Sequence, residues 1–165
     1  MLKQEGYGQH ISGQFNAELE SLRNQLLAMG GQVEQQLTTA LDALMKLDSG
    51  VAESIVRNDA EINQMEMTID DECATIIARR QPTASDLRLV ITIIKVNRDL
   101  ERIGDEAAKV ARQAVQLSEG GMSPSSFVEI RHIGALGGVL LRQSWDAFAR
   151  LDVTKAMEVV TGSAE

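Results

Sequence analysis

The chain has 165 residues, 44% of them hydrophobic and 24% charged, which allows a single domain with a modest core and excludes a large multidomain enzyme. Sixteen Lys and Arg against 24 Asp and Glu leave a net charge of −8, which repels phosphate backbones and argues against a nucleic-acid partner. Only 3% of residues are aromatic and only two are proline, a composition that favours helices over a β-sandwich.

The N-terminus, MLKQEGYGQH, has no signal-peptide core, and the uncharged stretch from Ile133 to Leu141 falls far short of the roughly 20 apolar residues that span a bilayer. With Cys73 alone there is no internal disulfide, and the expectation is a soluble cytoplasmic protein.

Residues 1–11 read as a flexible N-terminus. From Phe15 the apolar residues Leu19, Leu22, Leu26, Met29, Val33, Leu37, Ala40 and Leu44 recur in steps of three and four, predicting one long amphipathic helix from about Ser12 to Leu47. Asp48-Ser49-Gly50 interrupts it. A second helix comes next with Ile55, Ile62, Ile69 and Ile76 spaced by sevens, and Pro82 ends it near Arg79. Thr83 and Asp86 form a capping box for a third helix, whose stripe Val90, Ile93, Asn97, Leu100, Gly104, Ala107 and Ala111 narrows to small residues that permit close helix approach. Residues 12–117 thus predict an antiparallel bundle of three long helices in an all-α fold.

Residues 118–126 (SEGGMSPSS) read as a linker, and residues 127–165 as a fourth helix opened by a Ser126/Glu129 capping box. Gly134, Gly137 and Gly138 weaken its first half. Laid on the first helix so that Asp42 falls on Asp146, an offset of 104 residues, the fourth helix repeats Gly30 as Gly134, Leu37 as Leu141, Leu47 as Leu151, Asp48 as Asp152 and Ala52 as Ala156. It is therefore the opening of a second, incomplete repeat. Without bundle mates it exposes Leu141, Trp145, Phe148 and Leu151, which predicts a homodimer or larger homo-oligomer.

Two Glu-x-x-x-Asp pairs stand on the second and third helices, Glu66 with Asp70 and Glu101 with Asp105. At 100° per residue each pair lies about 40° and 80° from its apolar stripe, bordering the core. Carboxylates four residues apart repel by a few tenths of a kcal/mol, and a cation removes that repulsion. An oxygen-only set suits hard or borderline ions such as magnesium, manganese or iron. The competing reading is a solvated face in which Arg98, Arg102 and Arg112 neutralise Glu101 and Asp105. Asp59 also interrupts the apolar seam of the second helix, where Cys73 reads as a small core residue.

Glu129-x-x-His132 has the spacing of di-iron carboxylate bundles, but a second such motif is missing, so a di-iron oxidoreductase or a metal-storage bundle is the alternative reading. No Gly-rich phosphate loop, cysteine cluster or nucleophile elbow appears, which argues against an enzyme. ARRQPTASDLR (Ala78–Arg88) packs basic residues around a turn on an acidic protein. Its arginines either cap the second helix or, with Arg79, Arg80, Asp86 and Arg88, form a rigid partner-binding surface.

The stretches HISGQFNAEL, INQMEMTIDDEC, ARRQPTASDLR, DLERIGDEAAKVAR, RHIG and DAFARLD, from His10 to about Asp152, resemble the PhoU family of phosphate-transport accessory proteins. The resemblance implies a tandem of two three-helix bundles and a cytoplasmic negative regulator of the phosphate regulon and of phosphate uptake. Such a protein connects the ATPase subunit of the phosphate ABC transporter with a membrane sensor histidine kinase, and meets the membrane only through these partners. It further implies that Glu101 and Asp105, with Glu66 and Asp70 as the second pair, hold iron, zinc or another divalent metal. The chain departs from the family pattern at its end, where two later helices and a second ERIGD-like motif are missing.

Overall fold

The computed structural model describes residues 4–120 and 128–162, and the side chains within 13–120 and 129–162. These residues form α1 (Gln4–Lys46), α2 (Ser49–Arg80), α3 (Ala84–Glu119), α4 (Val128–Arg150) and α5 (Val153–Gly162), with no strand among them. The fold is all-α, as the apolar periodicity predicts. α1 begins at Gln4 rather than near Ser12, and α3 continues to Glu119, two residues into the expected linker. The Ser126 cap lies outside the described residues.

The three long helices pack antiparallel around two contiguous apolar layers. Leu22, Leu26, Met29 and Val33 of α1 meet Ile62, Ile69 and Cys73 of α2 and Val90, Ile93 and Leu100 of α3. Towards the α1–α2 turn the side chains shrink, and Ala40, Ala43 and Ala52 meet Ala107, Ala111 and Ala114. The small stripe of α3 has the expected consequence at Gly104, where a Cβ would stand 3.3 Å from the side chain of Ile62, so α3 lies close against α2 there.

The turns are set by a few residues. Leu47 takes a left-handed backbone at φ 53°, and Asp48 caps α2 by accepting from the Val51 N–H at 3.0 Å. α2 ends at Gln81, also left-handed at φ 46°. Thr83 is the N-cap of α3 but accepts no backbone hydrogen bond. Its hydroxyl instead donates to the Asp86 carboxylate at 2.8 Å, so the pair is not a capping box.

The fourth helix is not continuous. Leu151 at φ 54° and Asp152 break it, and Asp152 caps α5 by accepting from the Lys155 N–H at 3.0 Å. This is the α1–α2 turn repeated 104 residues later. The Asp48 N–H donates to Ala43 O at 2.9 Å, and the Asp152 N–H donates to Ala147 O at 2.9 Å.

α4 also finds a partner within the chain, contrary to the expectation of an unpartnered helix. It lies on α1, with Leu141, Trp145 and Phe148 packed against the core; Leu151 alone of the four expected residues remains strongly exposed, at 63%. Gly30 of α1 lies against the Trp145 ring, and Gly134 of α4 lies against the Leu41 side chain. Both glycines and both large residues are partners at the offset of 104, so the α1–α4 contact has a local pseudo-two-fold axis. Arg142 Nε donates to Glu34 at 2.6 Å, and the Arg23 guanidinium donates to Ala149 O at the end of α4. Among the described residues no helix is long and apolar enough to cross a membrane.

Candidate functional site

α2 and α3 run side by side, and the register between them is held by one buried polar residue. Asn97 occupies an apolar position of the α3 stripe and is fully buried. Its amide nitrogen donates to the backbone carbonyl of Glu66 at 2.9 Å and to the Asp70 carboxylate at 3.1 Å. Both amide protons are thereby used on α2, while the amide oxygen is buried with no protein partner. Further along α3, Gln36 of α1 reaches across, donating to the Asp59 carboxylate at 2.9 Å and to Gly104 O at 3.1 Å. These two amides fix α1, α2 and α3 around the acidic face.

The structure brings Glu66, Glu101 and Asp105, with Asp59, into one electrostatic neighbourhood, while Asp70 is held by Asn97. Glu66, Glu101 and Asp105 are half-buried and Asp70 is exposed. Burial raises the Glu101 carboxyl above the ordinary carboxylate range, and Asp105, Glu66 and Asp59 raise it further, while Arg98 opposes them weakly. Carboxylates from both helices therefore share one electrostatic field. Among the described residues Arg98, Arg102 and Arg112 form no ion pair with Glu66, Asp70, Glu101 or Asp105, although Arg98 acts on Glu101 from a greater distance. Long arginine side chains lose rotamer freedom on pairing, which offsets the small gain from a surface contact.

The donor set is oxygen-only and carries net negative charge, a composition of the kind that hard or borderline divalent cations take. In the side-chain positions present, no group of three or more His, Cys, Asp or Glu among the described residues is ready to hold a single ion. Glu129 and His132, the di-iron hint, are both exposed on α4. The Cys73 thiol is buried, and burial with the nearby Asp70 and Glu72 charges pushes it up to about 12, so it is an inert core group.

The basic turn divides in two. Arg80 is committed to α1: its Nε and Nη2 donate to the Glu18 carboxylate at 2.9 and 2.5 Å, and this pairing holds Glu18 below its ordinary range. Arg79 is exposed and borders a groove between α1 and α2 also lined by Glu18, Asp71 and Glu72, while Arg88 lies in the first turns of α3. Asp86 accepts the Thr83 hydroxyl. Sequence reasoning gives no role to Gln36 or Arg23, and none beyond the apolar stripe to Asn97. A polar Asn at a core position of α3 is the one legible signal among them.

An all-α bundle that carries an acidic seam and a basic turn places the chain among the helical-bundle proteins. Residues 26–114 match the PhoU domain family, more than half of the chain, and the chain belongs to this family. It is 55% identical over 159 residues to the phosphate-specific transport system accessory protein PhoU homolog of Pseudomonas aeruginosa, covering 96% of this chain and 66% of the relative. It is 47% identical over 150 residues to the phosphate-specific transport system accessory protein PhoU of Escherichia coli, covering 91% of this chain and 62% of that protein. The chain thus spans just under two thirds of the length of these relatives. The crystal structure of PhoU from P. aeruginosa superposes with a TM-score of 0.84 at 56% identity, over 87% of this chain and 69% of that one. The phosphate transport system regulatory protein PhoU from Streptococcus pneumoniae superposes with a TM-score of 0.80 at 33% identity, over 89% and 69% respectively.

Proposed function

We propose that the chain acts in the cytoplasm as a negative regulator of the phosphate regulon and of phosphate uptake. In this reading it is a non-catalytic adaptor between the ATPase subunit of a phosphate ABC transporter and a sensor histidine kinase. Support comes from family membership and from relatives named as accessory and regulatory proteins of phosphate transport. The observation that carries the reading on this chain is that its complete bundle, α1–α3, holds both an acidic seam and a basic turn with Arg79 and Arg88 on one rigid frame.

Glu101 and Asp105 from α3, with Glu66 and Asp70 from α2, would hold a divalent metal, iron and zinc being the favoured ions. The metal would supply positive charge to offset the carboxylate repulsion that raises Glu101, stiffening the α2–α3 pair. A di-iron oxidoreductase is the weaker reading, since Glu129 and His132 face solvent on α4.

The test is size exclusion with light scattering on the chain, alone and mixed with the cytoplasmic part of its cognate sensor kinase. A mixed complex lost on Arg79→Glu with Arg88→Glu supports docking through the basic turn. A mixed complex insensitive to those changes moves docking to another face, and the absence of any complex contradicts the adaptor role for residues 1–165.

A further inference from the structure

We infer that the groove between α1 and α2 is a docking surface for a basic amphipathic helix of a partner protein. The groove follows from a second stripe on each helix, beside the apolar one. On α1, Ser21, Gln25, Ala28, Gln32, Gln35 and Thr39 recur in steps of four and three, none of them charged in a chain that is 24% charged. On α2, Ser54, Asn58, Glu61, Met65, Thr68 and Glu72 recur in the same steps. Such steps mark a helix face that packs on another helix. Three cavities follow one another along the groove. The first, of about 260 Å³, lies between Gln36 and Glu61. The second, of about 180 Å³, lies over Ala28, Met65 and Ile69. The third, of about 480 Å³, is lined by Asp71, Glu72 and Arg79.

Charge and apolarity together select the occupant. Four acids line the cavities, Glu18, Glu61, Asp71 and Glu72, against the single cation Arg79. Glu18 is taken by Arg80, and Glu72 accepts from the Gln25 amide at 2.7 Å. Glu61 and Asp71 are exposed and form no ion pair among the described residues. They stand about 15 Å apart along α2, with the apolar cavity between them. A helix laid in the groove meets both with Lys or Arg at i and i+11, about 16 Å apart on one face, and covers the middle cavity with apolar residues at i+4 and i+7. Ile62 and Ile76, on the floors of the outer cavities, receive the methylene stems of the basic side chains.

This surface stands apart from the rest of the chain. α4 meets α1 at Gly30, Glu34 and Leu41, which at 100° per residue lie on roughly the opposite side of the helix from Ser21, Gln25, Ala28 and Gln32. A second copy of the chain would bring a net charge of −8 to an acidic groove, and an anionic lipid surface is repelled by it.

The test is fluorescence anisotropy on the 165-residue chain with a labelled synthetic helical peptide that carries arginine at i and i+11 and leucine at i+4 and i+7 in an alanine and glutamine background. The expected result is saturable binding whose dissociation constant rises at least about tenfold in Glu61→Lys with Asp71→Lys, and by a similar factor in Ala28→Phe, which fills the middle cavity. Asp99→Lys with Glu119→Lys makes the same change of net charge at exposed positions on α3 and should raise the constant less than about twofold. All five positions are exposed, so helix content by circular dichroism should be unchanged. Arg79 is retained throughout, which keeps the result separate from docking through the basic turn. No binding by the wild type, equal losses in the groove and α3 variants, or unchanged binding by Ala28→Phe would each overturn the assignment. Self-association abolished by Glu61→Lys with Asp71→Lys in sedimentation velocity would give the groove to a second copy of the chain and overturn it as well.

Discussion

The turns at Leu47–Asp48 and Leu151–Asp152 are the same structure twice, with matched left-handed residues, matched caps and matched backbone hydrogen bonds. The helices beyond the two turns differ. After the first, α2 runs for 32 residues and α3 returns to cover the apolar face; after the second, α5 runs for 10 residues, and among the described residues no further helix lies over the matching face. Leu26 and Met29 are buried, and their counterparts Ile130 and Ile133 are exposed. A local turn is therefore specified by a few residues around an aspartate cap, whereas the burial of a helix face depends on a third helix that no local signal provides. The acidic seam likewise needs two helices in fixed register, and among the described residues only the first unit has them.

The sharpest way to break this comparison is to truncate equivalent residues. Met29→Ala should lower the unfolding free energy by about 2–5 kcal/mol, because it empties a closed site. Ile133→Ala, measured in dilute solution, should change it by less than about 0.5 kcal/mol. Chemical denaturation of the two variants checks both, and equal effects would show that the open face is covered.

The pseudo-two-fold contact between α1 and α4 offers a second comparison. A Cβ at residue 30 would overlap the rigid Trp145 ring, while one at residue 134 would meet the flexible end of Leu41. Gly30→Ala should therefore cost about 1–2 kcal/mol and red-shift the emission of Trp145, the single tryptophan. Gly134→Ala should be nearly neutral, its overlap relieved by Leu41 and offset by the better helix propensity of alanine, about 1 kcal/mol.

The smallest effect concerns the acidic seam. Glu101 has a folded-state carboxyl raised above its unfolded value, so its contribution is favourable below the unfolded value and is lost as pH rises through the folded one. In the presence of chelator, Glu101→Gln should raise stability at pH 7 by a few tenths of a kcal/mol and make no difference well below about pH 4. Thermal melts at the two pH values check this. With a divalent metal added, the order at pH 7 should reverse, the wild type being the more stabilised.

Much of this fold is legible along the chain because its signals are local. The stripe from Leu19 to Leu44 defines α1, Pro82 stops α2 one residue from the expected position, and the small residues from Gly104 onward announce the close approach to Ile62. The 100° arithmetic places all four acids beside the seam. The rest depends on distant pairs or on side-chain choice. The break at Leu151 has no glycine or proline to mark it, although the repeat of Leu47-Asp48 holds the clue. The docking of α4 on α1 depends on Gly30 meeting Trp145, 115 positions apart in the chain. The arginines that sequence proximity offers as partners for Glu101 and Asp105 form no ion pair with them, while Asn97 holds Asp70 and the carbonyl of Glu66 from the next helix.

Elemental analysis of the purified chain and of Glu101→Ala with Asp105→Ala tests most directly whether α2 and α3 together form a cation-binding seam in the complete bundle. Bound divalent metal should fall by at least about tenfold in the variant while helix content is unchanged. Equal metal content in the two proteins, or no metal in the wild type after loading with iron, zinc and manganese in turn, would contradict the seam's role.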